Sequence, residues 1–259
     1  MLKQTAHLTG MTEDFLFNIQ SGYLEGFEAY RAFGKQDMCE INQDNYLWEG
    51  LEEYTYPINN EKMYIKSTSS LDLGIVIIKG LYEDTNGDWL PKKVEATLDG
   101  INLVTTSEME FIRVFRIDYF SGTPNTDNVG EITLYNSNTL TNLENLKAKI
   151  NISQNRSEMA QYTVPTDYYG FVYRLYRSTR KNQDADFNYQ QRPFGSGFRT
   201  IGISSAYENS SQEDVSFEIF PPKTDFQIKV NTENNNTEAR GSFHFIIVHK
   251  DKLELSRIE

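Results

Sequence analysis

The chain is poor in the residues that carry most acid–base and metal chemistry. One cysteine, Cys39, and three histidines, His7, His244 and His249, are all that its 259 residues hold. A lone thiol closes no intrachain disulfide, so stability does not rest on oxidation and folding in a cytoplasm is expected. The ordinary role of such a thiol is that of a small buried hydrophobe. His244 and His249 are five residues apart in what reads as one strand, so they face opposite sides of it and share no ligand. No transition-metal site and no cofactor are expected. The N-terminal MLKQTAHLTG lacks the apolar run of a signal peptide. No apolar stretch approaches ~18 residues, so no membrane partner is expected. Phosphate loops and dinucleotide fingerprints are missing. Gly195-Ser196-Gly197 lacks the spacing of a nucleophile elbow.

What the chain does have is acidity and aromatic rings. A formal net charge of −12 makes a surface that repels nucleic acid and anionic membrane, so neither is expected as a partner. Sixteen Tyr and sixteen Phe disfavour disorder and suit strands and subunit contacts.

The stretch from Leu73 to Ser121 shows the organisation most clearly. Residues 75–78 are an apolar, β-branched run, the mark of a strand within a sheet. Asp84-Thr85-Asn86-Gly87-Asp88 supplies turn residues. Val94, Ala96 and Leu98 alternate with Glu95, Thr97 and Asp99, and Asp99-Gly100 reads as a hairpin turn. Phe111, Phe115, Ile117 and Tyr119 mark the next strand. Later alternations occur at Phe171, Tyr173 and Leu175; at Val215, Phe217 and Ile219; at Phe226, Ile228 and Val230; and at Phe243, Phe245 and Ile247. Helix is expected only in residues 11–19, with Thr12 as N-cap, and near Leu140, Leu143, Leu146 and Ile150, which recur at three- and four-residue spacing.

These signals predict an all-β chain of two β-sandwich-like halves with an extended N-terminal arm. The expected divisions are an arm over 1–50, a sandwich over 51–138, a linker with a short helix over 139–155, a second sandwich over 156–251, and a polar tail over 252–259. The arm shows no clean period. Its aromatics Tyr23, Phe27, Tyr30, Phe33 and Trp48 are expected to pack on a sheet or a neighbouring subunit. Tyr173, Arg174, Tyr176 and Arg177, with Arg180 and Lys181, form the one basic, aromatic-interleaved patch, which suits a subunit contact better than stacked bases. Asp84, Asn86, Asp88 and Glu95 fall at calcium-loop positions one, three, five and twelve. Trp89 stands where the sharp-turn glycine belongs, which favours an ordinary hairpin turn.

Several phrases in order resemble a group of virion-associated proteins of tailed phages of marine bacteria. They are Gly22 to Gly34, Ser67 to Ser70, Ile77-Ile78-Lys79-Gly80-Leu81, VEATLDGINLVTTSEMEFIRVFRIDYFSG, Asn128-Val129-Gly130-Glu131-Ile132, Tyr162-Thr163-Val164-Pro165, Arg192-Pro193-Phe194-Gly195, FPPKTDFQIKV and residues 241–248. The likeness spans roughly residues 20–250; the 136–151 segment is longer here and the C-terminal tail is extra. It implies a virion structural protein rather than an enzyme. The expected role is a capsid-associated decoration, cement or head-surface subunit, made in the host cytoplasm. Its expected partners are copies of itself and other virion proteins. Two other readings stay open: a receptor- or glycan-binding part of a fibre, spike or tail, and a β-scaffold carbohydrate-active enzyme.

Overall fold

A computed structural model describes residues 13–50, 53–139, 142–180, 183–207, 211–214 and 219–253. The expected N-cap Thr12, His7, Lys181, the strand residues Val215 and Phe217, and the end of the tail lie outside them. In chain order the described elements are α1 (Glu13–Gln20), β1 (Phe27–Cys39), β2 (Asn45–Tyr46), β3 (Glu61–Lys62), β4 (Tyr64–Ser67), β5 (Ile75–Glu83), β6 (Trp89–Thr97), β7 (Glu110–Phe111) and β8 (Arg113–Phe120). They continue with β9 (Ile132–Tyr135), β10 (Leu146–Ile150), β11 (Gln161–Thr163), β12 (Tyr168–Thr179), β13 (Asp184–Arg192), β14 (Arg199–Tyr207), β15 (Ser211–Asp214), β16 (Asp225–Thr232) and β17 (Thr237–His249). The chain is all-β, and its strand pairs are antiparallel. No described helix is long and apolar enough to cross a membrane.

Two cores organise these strands. In the first, the sheet β6-β5-β8 faces the sheet β10-β9-β4. Val76, Ile78, Val94, Ala96, Ile117 and Tyr119 meet Ile65, Ile132, Leu134, Leu146, Ala148 and Ile150 between them. In the second, β1-β17-β12-β15 faces β11-β16-β13-β14, with β2 added on β16. Phe243, Phe245 and Ile247 meet Phe187, Tyr189, Phe226, Ile228 and Val230 there. Alternation at period two is what delivers one face of each strand to its core. The other face of β17 is covered by α1, with Ile246 and Val248 packed near Ile19 and Phe15.

The arm differs from expectation. Phe27–Cys39 is a thirteen-residue strand running antiparallel along β17 in the second half, from Phe27 opposite Val248 to Cys39 opposite Thr237. Its buried side holds small or polar residues, Ala32, Gly34, Gln36 and Cys39, because other backbone crosses there. A Cβ on Gly34 would lie 2.1 Å from the Leu47 carbonyl oxygen. The expected linker differs too. No helix forms from Leu143 to Ile150: a single 3-10 turn at Leu143–Asn145 leads straight into β10. Leu140 lies outside the described residues. Asp99-Gly100 does turn the chain, with Gly100 at φ +58°, but the segment after it pairs Val104 with Ile65 of β4 rather than returning along β6. On β12 a bulge between Val172 and Arg174 sends Val172 and Leu175 to the second core and Tyr173 to the α1 side.

The halves are joined by a buried ionic cluster. Asp225 of β16 accepts from Arg113 of β8 (Nε 2.7 Å, Nη2 3.2 Å), from Arg192 of β13 (Nε 2.9 Å, Nη2 2.6 Å) and from the Thr163 hydroxyl (2.6 Å). Arg113 Nη1 also donates to the Pro57 and Ile112 carbonyls, each at 2.7 Å. Its guanidinium lies 4.5 Å over the Trp89 ring. Arg113 and Asp225 are both buried.

Candidate functional site

One end of the first half is a set of loops held by buried polar side chains. The Asp72 carboxylate accepts the backbone N–H of Val129 and of Gly130, both at 2.8 Å, and the Ser67 hydroxyl at 2.5 Å. Its carbonyl accepts the Gly100 N–H at 3.1 Å. Asn128 donates to the carbonyls of Gly130 (2.7 Å) and Asn151 (2.8 Å), and its own carbonyl accepts Ser153 N–H at 3.0 Å. Four segments near residues 72, 100, 129 and 152 are therefore fixed to one another. Each presents apolar side chains outward: Leu71 and Leu73 beside Asp72, Ile101 beside Gly100, then Val129 and Ile152. Ile75 and Phe120 pair across β5 and β8 at the same end. These seven are 43–71% exposed and make up seven of the eighteen exposed large apolar side chains among the described residues. Leaving such groups in water is unfavourable, and rigid loops cannot hide them by folding over.

A groove of about 610 Å³ lies where β8, residues 154–159 and β1 meet. Residues 154–159 run strand-like beside β8: Asp118 bridges Arg156, Tyr119 N–H donates to Asn155 O (2.8 Å), and Ser157 N–H donates to Ile117 O (3.0 Å). Met159 then bridges Phe33 of β1 and Trp48. Buried Asp118 forms the floor. Lys79 Nζ (3.2 Å), Arg116 Nε (3.0 Å) and Arg156 Nε (2.6 Å) converge on it. Burial alone would raise its pKa, but the Arg156 hydrogen bond and the charges of Arg116, Arg156 and Lys79 outweigh it and hold the carboxyl below its ordinary value. Three cations around one carboxylate leave a positive excess here, on a chain that is acidic overall.

One further carboxyl, Glu158, lines the groove, and Glu49 is hydrogen-bonded to its backbone. Glu49 is pushed up to about 8, mainly by burial; the Glu158 N–H bond opposes this and the Glu158 charge adds to it. Glu158 N–H donates to Glu49 Oε2 at 3.3 Å, and Asn151 Nδ2 donates to Glu49 Oε1. Glu158 is also raised, chiefly by burial, with Lys35 and Arg240 opposing. Its Oε2 atom and the Oε1 atom of Gln154 are buried without a hydrogen-bond partner.

The residues singled out in the sequence are scattered. Tyr23 is exposed, and Phe33 opens onto the groove. The other arm aromatics pack against the chain's own strands and helix. Trp48 is buried edge-on to Tyr54 at 5.3 Å, Tyr30 stacks on Tyr162 at 4.3 Å, and Phe27 meets Phe15 at 6.2 Å. Along the β1 ladder with β17, Phe27 faces the α1 side and Tyr30 the second core. Tyr173, Arg174, Tyr176 and Arg177 lie around His244 and the β14 edge. The Tyr173 hydroxyl meets His244 Nδ1 at 3.1 Å, and the Tyr176 ring lies 5.3 Å from the imidazole. Arg174 adds positive charge beside the imidazole, and Arg177 Nε donates to the Ser205 carbonyl at 3.0 Å. Burial, then the charges of Arg31 and Arg174, lower the His244 pKa to about 4.

The calcium-loop pattern does not assemble. Asp84 Oδ1 accepts the N–H of Asn86 (2.9 Å) and of Asp88 (2.8 Å), closing a hairpin turn with Gly87 at φ +83°. Glu95 sits along β6 opposite Ile77 and pairs with Lys93 at 2.9 Å, away from that turn. No group of three or more His, Cys, Asp or Glu among the described residues could hold a metal ion. Asp72, Asp118 and Arg156 were not singled out by the sequence. Arg116 and Asp118 alternate with Phe115 and Ile117, which reads as an ordinary wet face.

No protein-family model matches the chain, and no curated protein matches it. Among solved structures it is similar to the infectious bursal disease virus T13 particle structure, at 7% identity and a TM-score of 0.26, covering 88% of this chain and 71% of that one. It is similar to the N-terminal CBM22 tandem domain of Xyn10C from Paenibacillus barcinonensis, at 8% identity and a TM-score of 0.21, over 87% of this chain and 93% of that one. It is also similar to the Yersinia pseudotuberculosis-derived mitogen, at 14% identity and a TM-score of 0.21, over 37% of this chain and 90% of that one. TM-scores this low establish no shared fold, and those proteins' roles are not carried over.

Proposed function

We propose that the chain is a virion structural subunit of a tailed phage, acting through contacts with copies of itself and other virion proteins rather than through catalysis. The supporting observation is the loop end organised by Asp72 and Asn128. Buried polar groups there hold apolar side chains out in water, which is the arrangement of a preformed contact surface. The place we propose for it is the capsid surface, as a decoration or cement subunit. Two rigid sandwiches resist deformation, and an acidic surface discourages binding to nucleic acid. The test replaces Leu71 and Phe120 by Asp in the particle-forming context. Both residues are exposed, so the variant chain is expected to fold with its wild-type circular dichroism yet be depleted from particles. Normal incorporation of the doubly substituted chain overturns this contact surface.

A further inference from the structure

We propose that the groove between β8, residues 154–159 and β1 is a binding site for a carboxylate-bearing saccharide. The inference does not depend on where in a particle the chain sits. The groove's volume, about 610 Å³, falls in the range of small-ligand sites and is too small and concave for a flat protein contact.

Its polar groups are complementary to one ligand chemistry. Arg116 and Arg156 each direct Nε to Asp118, which fixes both guanidinium planes and leaves their remaining N–H groups without a described protein partner. The Arg156 side chain is 60% exposed and that of Arg116 23%, so it is chiefly the Arg156 donors that face solvent. They call for an anionic acceptor, and the bidentate fork of Arg suits a carboxylate. Lys79 adds charge from the neighbouring strand. On the inner side the need is reversed. Gln154 Oε1 and Glu158 Oε2 are buried acceptors without donors, a costly state that a ligand hydroxyl relieves. Phe33 is a partly exposed ring on the groove's wall, able to lie against the C–H face of a sugar. An acidic sugar supplies all three features at once: one carboxylate, several hydroxyl donors and an apolar ring face. A free inorganic anion lacks the last two, and a neutral sugar lacks the first.

The test measures binding of oligogalacturonate to the full chain by calorimetry, beside its methyl ester and a tetra-aspartate peptide. The expected result is saturable binding of the acid that weakens with added salt, with at least about tenfold weaker binding of the ester. Arg156→Ala is expected to weaken the acid by a similar factor. Gln154→Leu, which leaves the cations in place and removes a buried acceptor that has no donor, is expected to weaken it while the thermal midpoint does not fall. No binding of the acid, equal binding of the ester, or equal binding of tetra-aspartate would each overturn the assignment. Cleavage of the oligosaccharide that is lost in Glu158→Gln would overturn the reading of a passive site.

Discussion

Replacing Asp225 by alanine removes the carboxylate at which β8, β13 and β16 meet. Asp225 is 2% exposed and Arg113 5% exposed, so neither charge is well screened by water. The variant leaves the Arg113 guanidinium buried with the Pro57 and Ile112 carbonyls and the Trp89 face, but no counter-ion. Breaking such a pair on one side costs about 3–5 kcal/mol. For a chain of this size that corresponds to a fall in Tm of roughly 6–20 °C. Arg192 contributes less to the loss, because its side chain is 25% exposed and rehydrates. Urea unfolding followed by tryptophan fluorescence is suited to the measurement, since Trp89 lies against Arg113 itself. The double variant Asp225→Ala/Arg113→Met removes the stranded charge as well. It is expected to be more stable than Asp225→Ala alone, despite carrying one more substitution. A loss below about 1 kcal/mol for Asp225→Ala, or strictly additive losses in the double variant, would refute the view that this cluster joins the halves.

Two pH-dependent outcomes are expected from buried titratable groups. Glu49 titrates at about 8 in the folded chain against an ordinary value of 4.5, so between these values the folded state holds a proton that the unfolded state has lost. Stability therefore falls as pH rises through that window; Glu49→Gln is expected to be more stable than wild type by about 1–3 kcal/mol at pH 8, with the gap closing toward pH 5 in chemical unfolding curves. His244 has the opposite window. Its pKa falls from 6.5 to about 4, so the unfolded state binds the extra proton and stability drops as pH falls from 6.5 toward 4; the Tm of His244→Gln should change less than that of wild type between pH 7 and pH 5.

The strands that were legible in the sequence have a plain alternation and one core to face. β16 and β17 are of this kind, with Phe226, Ile228, Val230 and Phe243, Phe245, Ile247 turned toward the second core. β1 was not legible because its buried side carries Ala32, Gly34 and Gln36, chosen by the close passage of Leu47 and Ala160 rather than by hydrophobicity. β10 was masked by two coincidences. Leu146 and Ile150 continue the helical spacing of Leu140 and Leu143 before it, and Lys147, which should mark a wet face, is fully buried with its ammonium on the Thr55 and Glu144 carbonyls at 2.7 and 3.1 Å. β12 hid its facing behind a bulge, which no period reveals. The candidate sites were harder still. Asp72 reaches Val129, and Asp118 reaches Arg156, across long separations in sequence, so only the folded sheets bring them together.

The proposed role is tested most directly by quantitative mass spectrometry of purified phage particles that encode this chain. The predicted result is a copy number in fixed ratio to the major shell protein, retained through the density gradient and lowered when Leu71 and Phe120 are replaced by Asp. A chain that stays in the lysate and is absent from intact particles would contradict it.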